Sequence, residues 1–389
     1  MIPVDAGFIA LVDAAPLVMA REMGFAEEEG VDLRLHRQAS WSMMRDRLAV
    51  GHLQAAQMLA PVPVAMSMGL GGLPMPLDAT MLLSVNGTVI GVSPRLATRM
   101  RERGVGNDIM AAGRIGESLV AVAGERLRVG VPFPFSMHAE LLYYWLGSLG
   151  LRAPEGLEVR TVPPPMMADA MGTGEIDAFC VGEPWGSIAV ERGVAELVLP
   201  GCAIWRFAPE KVLAMTRAMI ERDADMTRRL MRACWRAGRW LSDPAHHMTA
   251  AEILGRPAYL DLSAEIIERA LSGRLVISRA GEERAAPRFI EFHRGLAQFP
   301  WRSQALWIAT RIAARMGLDR EEAARVARDC FRADLYRANL GPIGADMPGA
   351  SEKLEGALSA ETPVASSTGR LFLGPDGFFD GLIFDPAAH

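Results

Sequence analysis

Short hydrophobic runs alternate with amphipathic stretches through the first half of the chain. A run at 4–12 and an alternating segment at 31–36 flank a predicted helix from Ala15 to Glu29, which Gly30 would end as a C-cap. Further strands are predicted at 55–61, 80–87, 126–133, 158–164 and 178–184. This alternation predicts an α/β fold with a parallel sheet that helices cover on both faces. Each of these later runs leads into Pro, Gly or Asn, where open α/β sheets bind ligands.

The pattern changes after Asp223, where long arginine-rich amphipathic segments predict a helical C-terminal part. One helix is predicted over 319–341, because Asp319 can cap it, Glu322 completes a capping box and Gly341 follows its end. The residues after about Met347 have little periodicity and are rich in Gly, Pro and Ser. They predict an extended tail.

A repeat relates two of the predicted strands. The segments GHLQAAQMLAPVP (51–63) and GEIDAFCVGEPWG (174–186) align at a constant offset of 123 residues, the distance from Gly51 to Gly174. The other matched pairs are Leu53 with Ile176, Ala55 with Ala178 and Pro61 with Pro184. The alignment predicts one supersecondary unit used twice, once in each of two lobes. A cleft between two such lobes is the usual place for a small ligand.

Composition narrows the function classes. A chain of 389 residues is long enough for two or three domains, and a net charge of −5 with no basic stripe disfavours direct binding of nucleic acid. No apolar run reaches the ~20 residues of a membrane span, and no basic segment of a secretory signal precedes Arg21. We therefore expect a cytoplasmic protein. The four cysteines lie far apart and indicate neither a metal site nor a disulfide framework: Cys180, Cys202, Cys234 and Cys330.

Catalytic motifs are missing from the sequence. It has no nucleophile elbow, P-loop, dinucleotide fingerprint or zinc-protease motif, so we expect neither an enzyme nor a bound cofactor. The 41 basic residues include only two lysines, Lys211 and Lys353. Lys211 precedes an apolar strand, and its compact ammonium suits a small anion, whereas Lys353 in the polar tail is expected to be a surface residue.

Other candidate ligands lie next to predicted turns. His138 falls in the first turn of a helix that Ser136 can cap, where an anion is favoured, although a plain cap histidine is the alternative. Trp41, in a predicted loop after the second strand, can donate its indole N–H, although a core role is the default. The turn Asn86-Gly87-Thr88 offers an amide, a backbone N–H and a hydroxyl, and Glu183 before Pro184 can orient a donor. A plain turn is the alternative for both segments.

These residues carry a family resemblance. The segments ASWSMMRDRL, AAQMLAPVP, VNGTVIGVS, SMHAELLYYWL, FCVGEPW, APEK, QFPWRSQALW and ADLYR resemble the nitrate-binding proteins of the nitrate/bicarbonate ABC-transporter family, in order, over about residues 1–340. The resemblance implies a periplasmic-binding-protein-like fold of type II, with two α/β lobes around an oxyanion. It implies a first lobe at 1–92, a second at 93–208, a return to the first with a helical extension at 209–345, and a tail at 346–389. The ligand contacts it implies are Trp41, Asn86, Gly87, Thr88, His138, Glu183 and Lys211.

The sequence also departs from this family. Thr88 stands where a glutamine is usual, and we expect no counterpart of the exported members' leader, because the sequence opens directly on the first predicted strand. The chain is most similar in this respect to cytosolic nitrate/nitrite sensors (NasS-like), which implies that it controls an ANTAR-domain RNA-binding antiterminator. A binding component of a nitrate ABC transporter is the alternative. An enzyme related to thiamine-pyrimidine synthases is disfavoured by the dispersed cysteines.

The expected ligand follows from charge. Nitrate has no proton to donate, so its site is expected to consist of donors and positive charge, here from Lys211, His138, an indole and an amide. Bicarbonate-binding members have a carboxylate where this chain has Lys211. Lysine at this position therefore favours nitrate or nitrite.

Overall fold

A computed structural model describes residues 1–72, 75–106 and 108–388 and contains two main β-sheets. Hydrophobic residues fill the strands at the centre of each sheet, and every residue of β4 and β10 is buried. The strands are β1 Ile2–Phe8, β2 Val31–Arg37, β3 Ala55–Leu59, β4 Leu77–Asn86, β5 Thr88–Val92, β6 Leu127–Val131, β7 Leu157–Thr161, β8 Ala178–Gly182, β9 Glu196–Pro200, β10 Pro209–Thr216, β11 Arg274–Val276, β12 Glu283–Ala285, β13 Ile290–Glu291, β14 Thr362–Pro363 and β15 Phe372–Leu373.

The two sheets define two lobes. The first sheet has the strand order β13-β4-β10-β3-β1-β2 and the second has the order β7-β6-β8-β5-β9. The predicted two-lobed α/β architecture is confirmed, but neither sheet is wholly parallel. β10 is antiparallel to β3 and β4, and β5 is antiparallel to β8 and β9. Both β5 and β10 directly follow a segment in which the chain crosses from one lobe to the other. Each of them therefore starts at the side of its sheet that faces the other lobe and points away from it.

Helices pack around both sheets and form the C-terminal part. They are α1 Ala15–Glu22, α2 Phe25–Glu28, α3 Trp41–Ala49, α4 Pro61–Ser67, α5 Pro94–Glu102, α6 Ala112–Val122, α7 Met137–Ser148, α8 Met167–Gly172, α9 Trp185–Glu191, α10 Arg217–Arg222, α11 Ala224–Leu241, α12 His247–Leu254, α13 Ala264–Ser272, α14 Arg302–Met316, α15 Arg320–Arg328 and α16 Ala333–Leu340. Among the described residues we find no helix with both the length and the apolar character of a bilayer span.

The predicted repeat is present in three dimensions. β3 and β8 are equivalent strands, since each has one parallel and one antiparallel neighbour in its own sheet. Gly51 and Gly174 both adopt positive φ, 77° and 71°, in the turns that precede these strands. Glycine is favoured there because a Cβ disfavours the left-handed conformation. Pro61 then begins α4 and Pro184 immediately precedes α9, so the same unit ends in the same way in each lobe.

The chain passes from the first sheet to the second at Gly87, whose φ is 96°. β5 belongs to the second sheet, so the crossing lies at Gly87 rather than after residue 92 as expected. The side-chain amide of Asn86 donates to the carbonyls of Arg206 (2.9 Å) and Arg288 (3.2 Å) and accepts from the N–H of Ala208 (3.0 Å). Asn86, where the chain leaves the first sheet, is thereby bonded to the segment 206–208, through which the chain returns to the first sheet at β10.

Two helix predictions are wrong in extent. The helix expected from Ala15 to Glu29 is divided into α1 and α2 at Gly24, which has a φ of 78°. The helix expected over 319–341 ends at Arg328, because the next segment joins the first sheet: the N–H of Arg332 donates to the carbonyl of Ala79 at 2.9 Å. The predicted N-cap is confirmed, since Asp319 accepts from the N–H of Glu322 at 2.8 Å.

The tail is attached to the body by a buried ionic cluster. Lys353 Nζ donates to Glu355 Oε2 at 2.5 Å and to Asp376 Oδ2, and Ser303 Oγ donates to Glu355 Oε1 at 2.6 Å. We call Ser303, Lys353, Glu355 and Asp376 the tail cluster. The Lys353 side chain is 13% exposed, so the expectation of a surface lysine is wrong.

Aromatic packing continues this attachment towards the second lobe. The ring of Phe378 lies 4.8 Å from the ring of Trp205 and 5.9 Å from that of Trp307 on α14. The hydroxyl of Tyr144 on α7 donates to Asp380 at 2.7 Å. The tail therefore contacts a helix of the second lobe as well as the helical C-terminal part.

Candidate functional site

Lys211 lies at the centre of a buried polar cluster between the lobes. It is the third residue of β10, which begins where the chain returns to the first sheet, and its side chain is fully buried. Its Nζ lies 2.7 Å from Oδ2 of Asp13 and 2.7 Å from Oε1 of Glu210. A buried ammonium requires such partners because it has lost its hydration.

Asp13 reaches Lys211 from a short 3-10 turn, Val12–Ala14, directly after β1. Gln57 in β3 fixes this carboxylate, because its Nε2 donates to Asp13 Oδ1 while its Oε1 accepts from the N–H of Ile9 at 3.0 Å. The first lobe thus supplies an ordered arrangement of a carboxylate, an ammonium and an amide.

His138 brings the second lobe to the same place. Ser136 caps α7 by accepting from the N–H of Ala139 at 3.2 Å, as predicted, and His138 follows in the first turn. Its Nδ1 lies 3.3 Å from Glu210 Oε1, a close contact without the geometry of a hydrogen bond. Gly182, at the end of β8, lies beside the same side chains, since a Cβ there would be 3.6 Å from Asp13 Oδ2 and 3.9 Å from His138 Nε2. We call Asp13, Gln57, His138, Glu210 and Lys211 the central cluster.

Burial and charge change the protonation of this cluster. Burial, together with the nearby charge of Lys211, lowers the pKa of His138 well below its usual range, so the imidazole is neutral near pH 7. Burial raises the pKa of Asp13 above its usual value, and it raises the pKa of Glu210 to about 7 although Lys211 opposes it. For Lys211, burial disfavours the charge, but the two carboxylates outweigh it and raise the pKa. The ammonium is therefore charged.

Several polar atoms in and around the cluster have no hydrogen-bond partner in the described structure. Buried polar atoms are normally paired, so such a concentration indicates a place for a small polar ligand. The unpaired atoms are Trp41 Nε1, Ser84 Oγ, Thr88 Oγ1, both ring nitrogens of His138, Glu210 Oε2 and, beside the cluster, Glu183 Oε1.

The structure brings three of the predicted residues, Trp41, His138 and Lys211, into one place. The Nζ of Lys211 lies 5.6 Å from the centre of the Trp41 ring, within the range of a cation–π contact. Trp41 begins α3 behind the N-cap Ser40, so its prediction as a loop residue is wrong. Its buried, unpaired indole N–H can donate to a ligand.

Thr88 lies opposite Gly182 in the ladder of β5 and β8, and its buried hydroxyl is unpaired. Asn86 does not offer its amide to a ligand, because all of the contacts described above are to the main chain. Gly87 provides the positive φ of the crossing. The donor expected from the Asn86 amide is therefore used to join the two crossings instead.

Glu183 lies at the end of β8 and contacts the main chain rather than Lys211. Its Oε2 accepts from the N–H of Ser187 at 3.1 Å, and its carbonyl accepts from the N–H of Val12 at 2.9 Å. Burial raises its pKa to about 7. The residue joins the two lobes beside the cluster, and a direct role in binding stays a prediction.

Sequence reasoning missed the acceptors of the site. The expectation of a site made of donors and positive charge is wrong, because Asp13 and Glu210 both contact Lys211. A signal was available: Asp13 interrupts an apolar segment, Gln57 lies within an otherwise apolar strand, and Glu210 precedes the buried lysine. A polar residue inside a buried strand requires a partner. The described residues show no group of three or more His, Cys, Asp or Glu side chains placed to hold a metal ion.

Comparisons with known proteins agree with this architecture. A model of the NMT1-like family matches residues 2–255, more than half of the chain. The nitrate/nitrite binding protein NrtA of Nostoc sp. PCC 7120 is 28% identical over 388 residues, which cover 98% of this chain and 82% of that protein. The nitrate import ATP-binding protein NrtC of Synechocystis sp. PCC 6803 is 32% identical over 314 residues. That match covers 80% of this chain but only 46% of NrtC. The chain therefore spans about half the length of this relative.

A solved structure confirms the predicted fold. The crystal structure of the periplasmic nitrate-binding protein NrtA from Synechocystis PCC 6803 matches with a TM-score of 0.84 and 25% sequence identity. The match covers 99% of this chain and 96% of that chain. The two α/β lobes are therefore those of a periplasmic-binding-protein-like fold.

Proposed function

Since the chain belongs to the NMT1-like family, we propose that it binds nitrate or nitrite in the central cluster between its lobes. The observation that carries this proposal is the buried ammonium of Lys211 beside the unpaired N–H of Trp41 and the unpaired ring nitrogens of His138. The names of the similar proteins NrtA and NrtC support the choice of anion.

The geometry suits a small planar anion. The ammonium supplies charge, the indole and the imidazole supply directed hydrogen bonds, and the N-terminus of α7 adds the positive end of the helix dipole. Hydrogen bonds to a charged partner are stronger than neutral ones. The proposed role is binding without chemistry.

Calorimetry of the purified protein tests this proposal. Nitrate and nitrite are titrated separately into protein first dialysed free of anions, and sulfate is the control. We expect saturable heat for one or both monoanions and none for sulfate. Absence of binding to both monoanions would overturn the proposal.

We further propose that the protein acts in the cytoplasm as a sensor and, without ligand, holds an ANTAR-domain RNA-binding antiterminator. Support comes from the resemblance of its sequence to cytosolic nitrate/nitrite sensors. A partner that contacts both lobes would fit one arrangement of them, so nitrate and partner would each weaken the binding of the other by the same factor.

Gel filtration of the protein with the antiterminator tests this role. We expect one complex without nitrate and two separate components at saturating nitrate. A complex unaffected by nitrate, or no complex at all, would favour the alternative role as binding component of a nitrate transporter, which the similarity to NrtA supports. Fractionation of cells adds an independent measurement, because the transporter role requires the protein outside the cytoplasm.

A further inference from the structure

The charges of the central cluster leave little room for another negative charge. One ammonium, Lys211, lies between two carboxylates, Asp13 and Glu210, and all three side chains are at least 98% buried. If both carboxyls are ionised, the cluster already has one net negative charge. A monoanion that entered without compensation would double it in a place from which water is excluded, and an uncompensated buried charge is costly.

Glu210 is the residue able to compensate. Both oxygens of Asp13 are bonded, Oδ1 to Gln57 and Oδ2 to Lys211. Glu210 uses Oε1 for Lys211, and its Oε2 is buried without a partner. Oε2 is therefore a free position at which a proton can be added and then donated to a ligand.

The other groups packed against Glu210 do not offer such a position. Lys211, next to it on β10, is held in its charged form by two carboxylates. His138 on α7 is kept neutral by burial and by Lys211, and the Cys180 thiol on β8 is kept protonated by burial and by the nearby charge of Glu210, both of which raise its pKa. Asp13 faces the lysine from the opposite side and is fixed by Gln57.

We propose that Glu210 determines the specificity of the site by taking up one proton at Oε2 when a monoanion binds beside Lys211. This inference rests on the proposed function. The proton comes from water, no bond of the ligand breaks, and the net charge of the cluster is the same before and after binding. The new O–H becomes a donor to the anion. A dianion such as sulfate would require a second proton, for which Asp13, the other carboxylate of the cluster, has no free oxygen.

The proposed uptake of a proton by Glu210 makes the affinity for the anion depend on pH. Burial raises the pKa of Glu210 to about 7 in the unliganded protein, so at pH 8 the carboxyl is mostly ionised and must gain a proton on binding. At pH 6 it is already protonated. Affinity should therefore fall about tenfold per pH unit above pH 7 and change little below it, as proton linkage requires.

Calorimetry in two buffers measures the proton directly. Nitrate, and separately nitrite, is titrated into the full chain at pH 8 in HEPES and in Tris, whose ionisation enthalpies differ, and the difference in heat gives the number of protons taken up. We expect close to one for the wild type and close to zero for Glu210→Gln. The matched control is Glu291→Gln, which alters a buried carboxyl paired with Arg288 outside the cluster and should leave the uptake at one.

The outcomes separate the two proposals. Saturable binding at pH 8 without proton uptake overturns the role of Glu210, as does uptake that persists in folded Glu210→Gln. Failure of the wild type to bind either anion overturns the proposed function instead. If Glu210→Gln does not fold, infrared difference spectra of the wild type decide: nitrate at pH 8 should produce a protonated-carboxyl band, and its absence contradicts the inference.

Discussion

Lys211 and Lys353 lie in similar buried surroundings, but the carboxylate oxygens around Lys353 are all hydrogen-bonded, whereas several polar atoms around Lys211 are not. In the central cluster and in the tail cluster alike, a buried ammonium lies between two carboxylates. Each also lies near a tryptophan ring, with Nζ 5.6 Å from the centre of Trp41 in the first and 5.8 Å from that of Trp301 in the second. The same residue types therefore occur at two buried places in one protein.

The hydrogen bonds of the carboxylates distinguish the two clusters. In the tail cluster all four oxygens are bonded: Glu355 accepts from Ser303 and Lys353, and Asp376 accepts from Lys353 and from the N–H of Leu358 at 2.8 Å. In the central cluster Oε2 of Glu210 and both nitrogens of His138 are unpaired. A fully bonded ionic cluster serves as a cross-link, whereas one with unpaired atoms can accept a ligand.

The largest expected effect is on binding at the central cluster. Lys211→Glu replaces an attractive charge with a repulsive one, and the loss of nitrate affinity should exceed about 5 kcal/mol, since truncation alone of a buried charge costs about 2–5 kcal/mol. Calorimetry gives the affinity and circular dichroism shows whether the variant is folded. Lys211→Glu adds a third carboxyl next to Asp13 and Glu210 and could prevent folding, so the neutral variant Lys211→Met is measured in parallel. A folded Lys211→Met with wild-type affinity would place the site elsewhere.

Lys353→Met tests whether the tail cluster contributes to stability rather than to binding. It leaves Glu355 and Asp376 buried without their cation, so it should lower the free energy of unfolding by about 3–5 kcal/mol. Urea unfolding measures this change. Nitrate affinity of the folded variant should match the wild type, and a parallel loss of affinity would mean that the tail cluster is part of the binding site.

A smaller effect is expected for His138→Ala. One hydrogen bond to a charged ligand is lost, which corresponds to a loss of binding free energy of about 1–3 kcal/mol in calorimetry. His293→Ala is the matched control, because that histidine is also largely buried but bonds to Gln298 away from the cluster. Equal affinities for His138→Ala and the control would remove His138 from the site.

The last expected effect concerns the pH dependence of stability in the ligand-free protein. Burial raises the pKa of Glu183 to about 7, above the value of about 4.5 expected in the unfolded chain, so the native state binds more protons between these values. Stability should therefore fall, by about 2–3 kcal/mol from this group, as pH rises through that window. Melting temperatures at pH 5 and pH 8 should differ less for Glu183→Gln than for the exposed control Glu361→Gln. An unchanged difference would contradict the shift.

The sequence predicted the parts of this molecule that depend on local pattern. The strands, the repeat and the caps at Ser136 and Asp319 all follow from neighbouring residues. The partners of Lys211 did not follow completely, because Asp13 approaches it from a turn nearly two hundred positions earlier. Local spacing contains no information on such a pairing.

The remaining errors have the same physical origin. The Asn86 amide looked available at a turn, but its partners at Arg206 and Ala208 are brought to it by the return of the chain. Lys353 was expected to be exposed because the composition of the tail is polar. Its partner Asp376 is distant in sequence and is brought to it by the folding of the tail. In both cases a distant segment uses the polar group that composition assigns to solvent.

The bonding of Asn86 to the returning segment also has a mechanical consequence. The chain crosses between the lobes at Gly87 and again just before β10, and Asn86 bonds the first crossing to Arg206 and Ala208 in the second. Two independent tethers would allow one lobe both to twist and to bend relative to the other. Two tethers that are bonded side by side must move together, so the bonds of Asn86 restrict twisting of one crossing relative to the other.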